Sequence, residues 1–305
     1  MPVSTKVIKT RIKSVSNTKK ITKAMEMVAA SKMRRAVEKS LASREYAQLA
    51  MELLVNVSKD RLTKDPLLEV RDEKKTLLVI VTSNKGLCGG YHVNINKQLQ
   101  SYVDKFGKDR EIGAVCIGKY AERFARKLKI DVVASFIDMP NNTSIEDIRP
   151  IRKLLMKDFT YKKWDRVGIM YTNYVSAISS EVLVRGLLPV TKKNILKMIT
   201  SAGPTENKEK IDIPQDRSLS FYAFEPSQED VLTKILPKLI EVQIYQAIVE
   251  ARASEHSSRM VAMKNASENA GELIDELTLT FNKARQSSIT QEIVEIATGA
   301  AALQK

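Results

Sequence analysis

The chain has 305 residues, 43% of them hydrophobic and 28% charged, with a net charge of +14; that length allows two or three domains with proper cores. No window of about 18 uncharged apolar residues occurs, which argues against a helical membrane span. Two cysteines, Cys88 and Cys116, and two histidines, His92 and His256, are too few for a disulfide framework or a zinc cluster and fit a reducing compartment.

The placement of the charge says more than its size. Met1 to Glu45 holds twelve Lys/Arg against three Asp/Glu, whereas Ser227 to Lys305 holds eight against eleven. The two ends are electrostatically complementary. The first acidic residue is Glu26, so the start imitates a basic transit peptide. Against cleavage, the segment runs unbroken into a long helix pattern and is rich in Lys rather than Arg.

From Val3 to Asp65 there is neither glycine nor proline, and apolar residues recur near helical spacing at Ile8, Ile12, Val15, Ile21, Met25, Val28, Met33, Val37 and Leu41. We expect one long helix within residues 1–65, closed by Asp65-Pro66. The steps from Val15 to Ile21 and from Val28 to Met33 break a clean heptad, which predicts a seam that wanders around the helix.

Residues 76–225 differ: nine of the eleven glycines lie between Gly86 and Gly203. Thr76–Thr82 reads as a buried strand, Ser83–Gly90 as a loop and Tyr91–Lys105 as a helix. Ile112–Gly118 is a second strand followed by a helix over Lys119–Lys129, Asp131–Ile137 is a third strand, and a helix begins near Ser144. Arg166–Tyr174 and Ser180–Leu187 form a hairpin. Ser201–Ser218 reads as an exposed loop, and Phe221–Phe224 as a last strand before Pro226. The alternation indicates a small, mainly parallel, Rossmann-like α/β domain.

Residues 227–305 form a second long helix. A heptad seam runs through Leu232, Ile235, Leu239, Val242, Gln246, Val249, Ala253, His256, Met260, Met263, Ser267, Ala270, Ile274, Leu277, Phe281 and Ala284, and 13 of these 16 positions are apolar. Such a helix is too long to be a core element of one compact domain. It is expected to protrude and to pair, antiparallel, with the basic N-terminal helix.

Three chemical readings arise. Gly86-Leu87-Cys88-Gly89-Gly90 stands after a strand and before a helix, where a phosphate loop would sit, but it is not G-x-G-x-x-G and has no Gly-Lys-Ser/Thr ending. The pattern reads instead as a structural turn, with glycines supplying positive φ and close packing of helix on strand. Cys88 with His92 as its base would be a nucleophile lacking a third, orienting group. The basic N-terminal helix is able to grip nucleic acid, yet no aromatic residue precedes Tyr46 to stack a base.

At the C-terminal tip, small and apolar residues cover nearly every side of the helix, including Ile289, Ile293, Ile296 and Leu303. A helix in water would not carry that pattern. Either an Ala-rich terminus frays, or the tip sits in an apolar collar made by other subunits, with Arg285, Gln286, Thr290 and Glu292 as discrete polar contacts.

These stretches resemble the gamma-subunit family of F-type ATP synthases. The resemblance rests on Arg11–Val15 and Thr18–Met33, on Thr82–Lys85 with Gly86–Gly90, on Ser258–Ala266 with Asn269-Ala270, and on Asn282–Gln286 running through Ile289–Glu292. It implies a non-catalytic rotor shaft without cofactor or metal: an antiparallel coiled coil inside a ring of three alpha and three beta subunits, one copy per complex. The α/β domain would stand below with the epsilon subunit on the membrane ring of c subunits, without entering the bilayer. Ion flow would turn the shaft and drive the beta subunits through their ATP-binding conformations, or run in reverse.

By resemblance, Met25 and the basic face of Lys20, Lys23, Arg34 and Arg35 would meet the acidic lever of beta. Arg285, Gln286, Thr290 and Glu292 would engage beta at the tip. Glu225, in Phe224-Glu225-Pro226, would approach the c ring. Asn84 departs from the aspartate often found there. The motif starting by Arg11 favours a bacterial protein at the cytoplasmic face of the plasma membrane over a mitochondrial one at the matrix face of the inner membrane.

Overall fold

Six of the seven residues of β1 (Lys75–Val81) are buried, and the strand lies at the centre of a five-stranded sheet of order β3-β2-β1-β4-β5. β2 (Glu111–Ile117), β3 (Asp131–Phe136) and β4 (Arg166–Tyr174) join β1 in parallel, and β5 (Ser180–Leu188) adds an antiparallel edge. The computed structural model describes residues 5–57, 65–140, 142–191 and 228–303. The chain divides into two units: Ala30–Ser258, and Met1–Ala29 with Arg259–Lys305.

In the first unit, the pleat of the sheet sends alternate side chains to opposite faces. Leu78, Ile80, Ala114 and Cys116 meet α2 (Tyr91–Phe106) and α3 (Lys119–Lys127) through Ile95, Leu99, Ala121 and Ala125. Leu77, Val79, Val115, Val167 and Ile169 meet the other layer. Because both faces are covered, β1 reads as an unbroken apolar run instead of an alternation. The helix expected near Ser144 is α4 (Arg149–Thr160), preceded by a 3-10 turn at Glu146–Ile148.

The second layer holds α4 and, beside it, the first part of α5 (Gln228–Leu303). Leu236, Leu239, Ile240, Ile244, Ala247, Ile248 and Ala251 join one core with Ile151, Leu155 and Phe159 of α4. This corrects the expectation that a helix of such length cannot serve a domain core: its early turns do, and residues 241–244 and 246–251 are buried on every side. Burial there includes polar groups with partners. Ser254 donates to the carbonyl of Thr172 at 3.1 Å, and Gln246 donates to Glu250 at 3.0 Å. The division between units falls at Arg259.

In the second unit, α1 (Thr5–Val57) through Ala29 lies beside α5 from Arg259 onward. At Gly271 a Cβ would stand 2.9 Å from Lys19 Nζ, so glycine admits the lysine amine against the α5 backbone. Ile8 and Ala29 of α1 and Met263, Ser267 and Ala270 of α5 are buried. The covered positions of α1 in this unit, Thr5, Ile8, Ile12, Val15, Ser16, Thr22, Met25, Glu26 and Ala29, keep to one side of the helix. The seam does not wander. It passes through Thr22 and Glu26 and leaves Ile21 and Val28, the residues that made the apolar spacing irregular, 61% and 55% exposed.

The expected loop at Ser201–Ser218, the strand at Phe221–Phe224 and Glu225 lie outside the described residues.

Candidate functional site

A doubly wound sheet offers its ligand crevice at the carboxyl ends of the strands, and here the amides at the start of α3 are already satisfied. The last residues of β1 and the loop beyond it run alongside the start of α3. Thr82 Oγ1 accepts from the Ala121 amide at 2.8 Å, the Ser83 carbonyl accepts from Tyr120 at 3.5 Å, and Asn84 Oδ1 accepts from Lys119 at 2.8 Å. These are the amides that would otherwise hold a phosphate at a helix start. Gly118, at φ 91°, makes the approach possible, since a Cβ there would stand 2.9 Å from Thr82 atoms. On the glycine loop itself, Leu87 and Gly89 are left-handed, at φ 60° and 54°. The loop works as a turn.

The cysteine reading meets similar geometry. Cys88 is buried and its thiol points to the Lys85 carbonyl at 3.9 Å. His92 turns Nε2 toward that carbonyl at 3.2 Å and toward Ser83 Oγ at 3.3 Å, and its ring stacks on Tyr120 with centroids 3.7 Å apart. Burial raises the Cys116 thiol to about 12. Reactive thiols need an exposed, electropositive setting, and neither buried sulfur has one. Among the described residues no cluster of His, Cys, Asp and Glu suits a metal, and no helix is long and apolar enough to cross a membrane.

What the chain does present is surface. On α1, Lys20, Lys23, Arg34 and Arg35 are exposed and Met25 is half-buried. Lys23 is spent in part on Glu26, 3.0 Å away. Ile21, Met27 and Val28, on the same helix, are between 55% and 61% exposed. Sequence reasoning placed Ile21 and Val28 in the seam; extending strict steps of three and four from Ile8 would have put them outside it.

On α5 the cover thins toward the C-terminus. Residues 285–300 are all exposed, among them Arg285, Gln286, Thr290 and Glu292. Ile289, Ile293, Val294 and Ile296 are 48%, 61%, 54% and 73% exposed, although burying such side chains is worth roughly 1.5–3 kcal/mol each. Thr290 returns its hydroxyl to the Gln286 carbonyl at 2.9 Å, a bond within the helix that leaves the surface smooth. Leu303 closes the helix, and its side chain lies outside the described residues.

The ATP synthase family model matches residues 4–303. The chain belongs to the ATP synthase gamma family. It is 38% identical over 301 residues to the ATP synthase gamma chain of Dehalococcoides mccartyi strain CBDB1, covering 98% of each chain. The identity is also 38% over 312 residues to that of Synechocystis sp. PCC 6803, covering 98% of this chain and 99% of the relative. Among solved structures, a chain of the Tetrahymena thermophila mitochondrial ATP synthase central stalk and c-ring superposes with a TM-score of 0.58 at 27% identity, over 81% of this chain and 99% of that one. A chain of the Euglena gracilis mitochondrial ATP synthase shares the fold at a TM-score of 0.62 and 20% identity, over 98% and 94%. As a gamma chain it is a rotor subunit of the central stalk and not itself catalytic.

Proposed function

We propose that this gamma chain turns as the shaft of the F-type complex, one copy among three alpha and three beta subunits, with epsilon and the c ring at its foot. Ion flow through the ring rotates the shaft, and the asymmetric shaft forces each beta subunit in turn through its ATP-binding conformations. Hydrolysis drives the same cycle in reverse and pumps ions. The assembly stands at the cytoplasmic face of the bacterial membrane.

One observation carries this reading: a helix end exposed on all sides and rich in isoleucine and alanine. An apolar shaft of that kind gains from an enclosing apolar collar, and Ile289, Ile293, Ile296 and Leu303 are its bearing. The polar residues Arg285, Gln286, Thr290 and Glu292 engage beta at the tip. Lower down, Lys20, Lys23, Met25, Arg34 and Arg35 meet the acidic lever of beta, where opposite charges steer and orient the contact. Glu225 meets the polar loops of the c ring.

The test is co-expression with alpha and beta subunits of a related enzyme, with and without deletion of Ala284 to Lys305. The shaft reading expects a complex with one copy of this chain per three alpha-beta pairs, and a deletion that assembles yet loses torque. A chain that purifies alone as a folded monomer and ignores alpha and beta would overturn it.

A further inference from the structure

The side chain of Asn84 is held from two directions. Its Oδ1 accepts from the Lys119 amide at 2.8 Å, and its Nδ2 donates to the Ile137 carbonyl at 2.5 Å. These partners settle which end of the amide is which, because a backbone N–H only donates and a backbone carbonyl only accepts. One side chain thereby ties the loop after β1 to the start of α3 and to the end of β3. The neighbouring bonds of Thr82 to Ala121 and to the Ile117 carbonyl, and of Gly118 to the Phe136 carbonyl, complete the same seam.

Directly after Asn84 the chain enters the strained turn. Leu87 is a non-glycine residue at φ 60° and is 64% exposed. Such a conformation persists only where its surroundings over-determine it. At its exit the turn is held by His92 on the Lys85 carbonyl; at its entry it is held by Asn84. A carboxylate could accept from Lys119 but would face the Ile137 carbonyl as acceptor against acceptor.

We propose that Asn84 is a positioning residue whose neutral amide, acting as donor and acceptor at once, holds the Lys85–Gly90 turn in the geometry that presents Leu87 outward on the rotor. The role at this position is hydrogen bonding, not charge. The link to the rotor surface rests on the shaft reading above; the bonding role stands on its own.

The experiment compares the full-length chain with its Asn84→Asp and Asn84→Ala variants by amide hydrogen exchange at Gly118, whose amide donates to the Phe136 carbonyl beside Ile137, each variant against the unaltered chain at the same pH. At pH 7, Asn84→Asp loses the bond to the Ile137 carbonyl while keeping the one from Lys119, and Gly118 is expected to exchange about tenfold faster, the size of one lost hydrogen bond. At pH 3 and below, the protonated acid regains a donor for Ile137, and exchange returns to within about twofold of the unaltered chain, given an ordinary aspartate value near 3.9. Asn84→Ala is expected to exchange faster at both pH values, with no recovery. A purely steric role would not produce that reversal. Unchanged exchange in Asn84→Asp at pH 7, or acceleration that persists at low pH, would overturn the proposal. In the assembled complex, where the shaft reading holds, ion pumping per ATP hydrolysed is expected to drop in Asn84→Asp at neutral pH. A chain that fails to assemble would count against the shaft reading and leave the exchange result to decide the role of Asn84.

Discussion

The two ends of α5 are built from similar residues and live in opposite surroundings. Between Leu236 and Ala251 the helix is buried on nearly every side against the sheet and α4; from Arg285 onward it is exposed on every side. Both stretches carry isoleucine and alanine around the whole circumference, so neither is amphipathic. Apolar content therefore marks a helix that must be enclosed, while the enclosing partner differs. In the first stretch the chain itself supplies the enclosure. At the tip no described residue does, which is the physical basis for assigning that role to other subunits.

The contrast is most sharply tested by matched substitutions. Ile244→Ala removes a fully buried side chain and is expected to cost about 2–5 kcal/mol in chemical denaturation, whereas Ile293→Ala should stay within about 0.5 kcal/mol. Equal costs would mean that the tip is packed in the free chain. A smaller effect is expected from added bulk. Ser254→Leu has no room, because Ser254 is 0% exposed and bonded to Thr172, and should cost roughly 1–3 kcal/mol, while Ser287→Leu on the exposed tip should cost nothing measurable.

Smaller again are the two helical glycines. Gly299 has nothing within 4 Å, so Gly299→Ala should gain up to about 0.8 kcal/mol of helix propensity. Gly271→Ala must first displace the Lys19 amine, 2.9 Å away, and should gain less, as read from paired thermal melts. A larger gain at Gly271 would show that Lys19 contributes nothing to the seam.

Acid gives the mildest probe, and it acts on the α/β unit. The Ser144 amide and hydroxyl hold the Asp147 carboxyl below its ordinary value. A carboxyl lowered in the folded state adds stability above its unfolded value and loses it as pH falls through the folded one. Ser144→Ala should therefore weaken the unit slightly at neutral pH, with the difference fading below roughly pH 4. A difference that grows on acidification would reverse the sign and refute the assignment.

Much of this was legible in the sequence because it depends on local pattern. The strands and helices of the α/β domain, the two long helices, and the glycine turn followed from periodicity and glycine placement. Two features were not. Along α1, the irregular spacing of Ile21 and Val28 suggested a wandering seam, but the covered face passes through Thr22 and Glu26. A helix buries the positions that face its partner, whatever residues occupy them. Similarly, nothing local to Asn84 announces that its amide reaches Ile137, 53 residues away.

By itself, then, the sequence determined which segments are helix or strand, that the sheet is mainly parallel, and, through motifs at both ends and in the middle, the family. Those depend on neighbours a few residues apart and on the chemistry of short runs. Only the tertiary structure decided where α5 stops being domain core, which face of α1 is covered, and which donors close the crevice. Each of these depends on what lies opposite a side chain, and periodicity records that a surface is to be covered without recording by what.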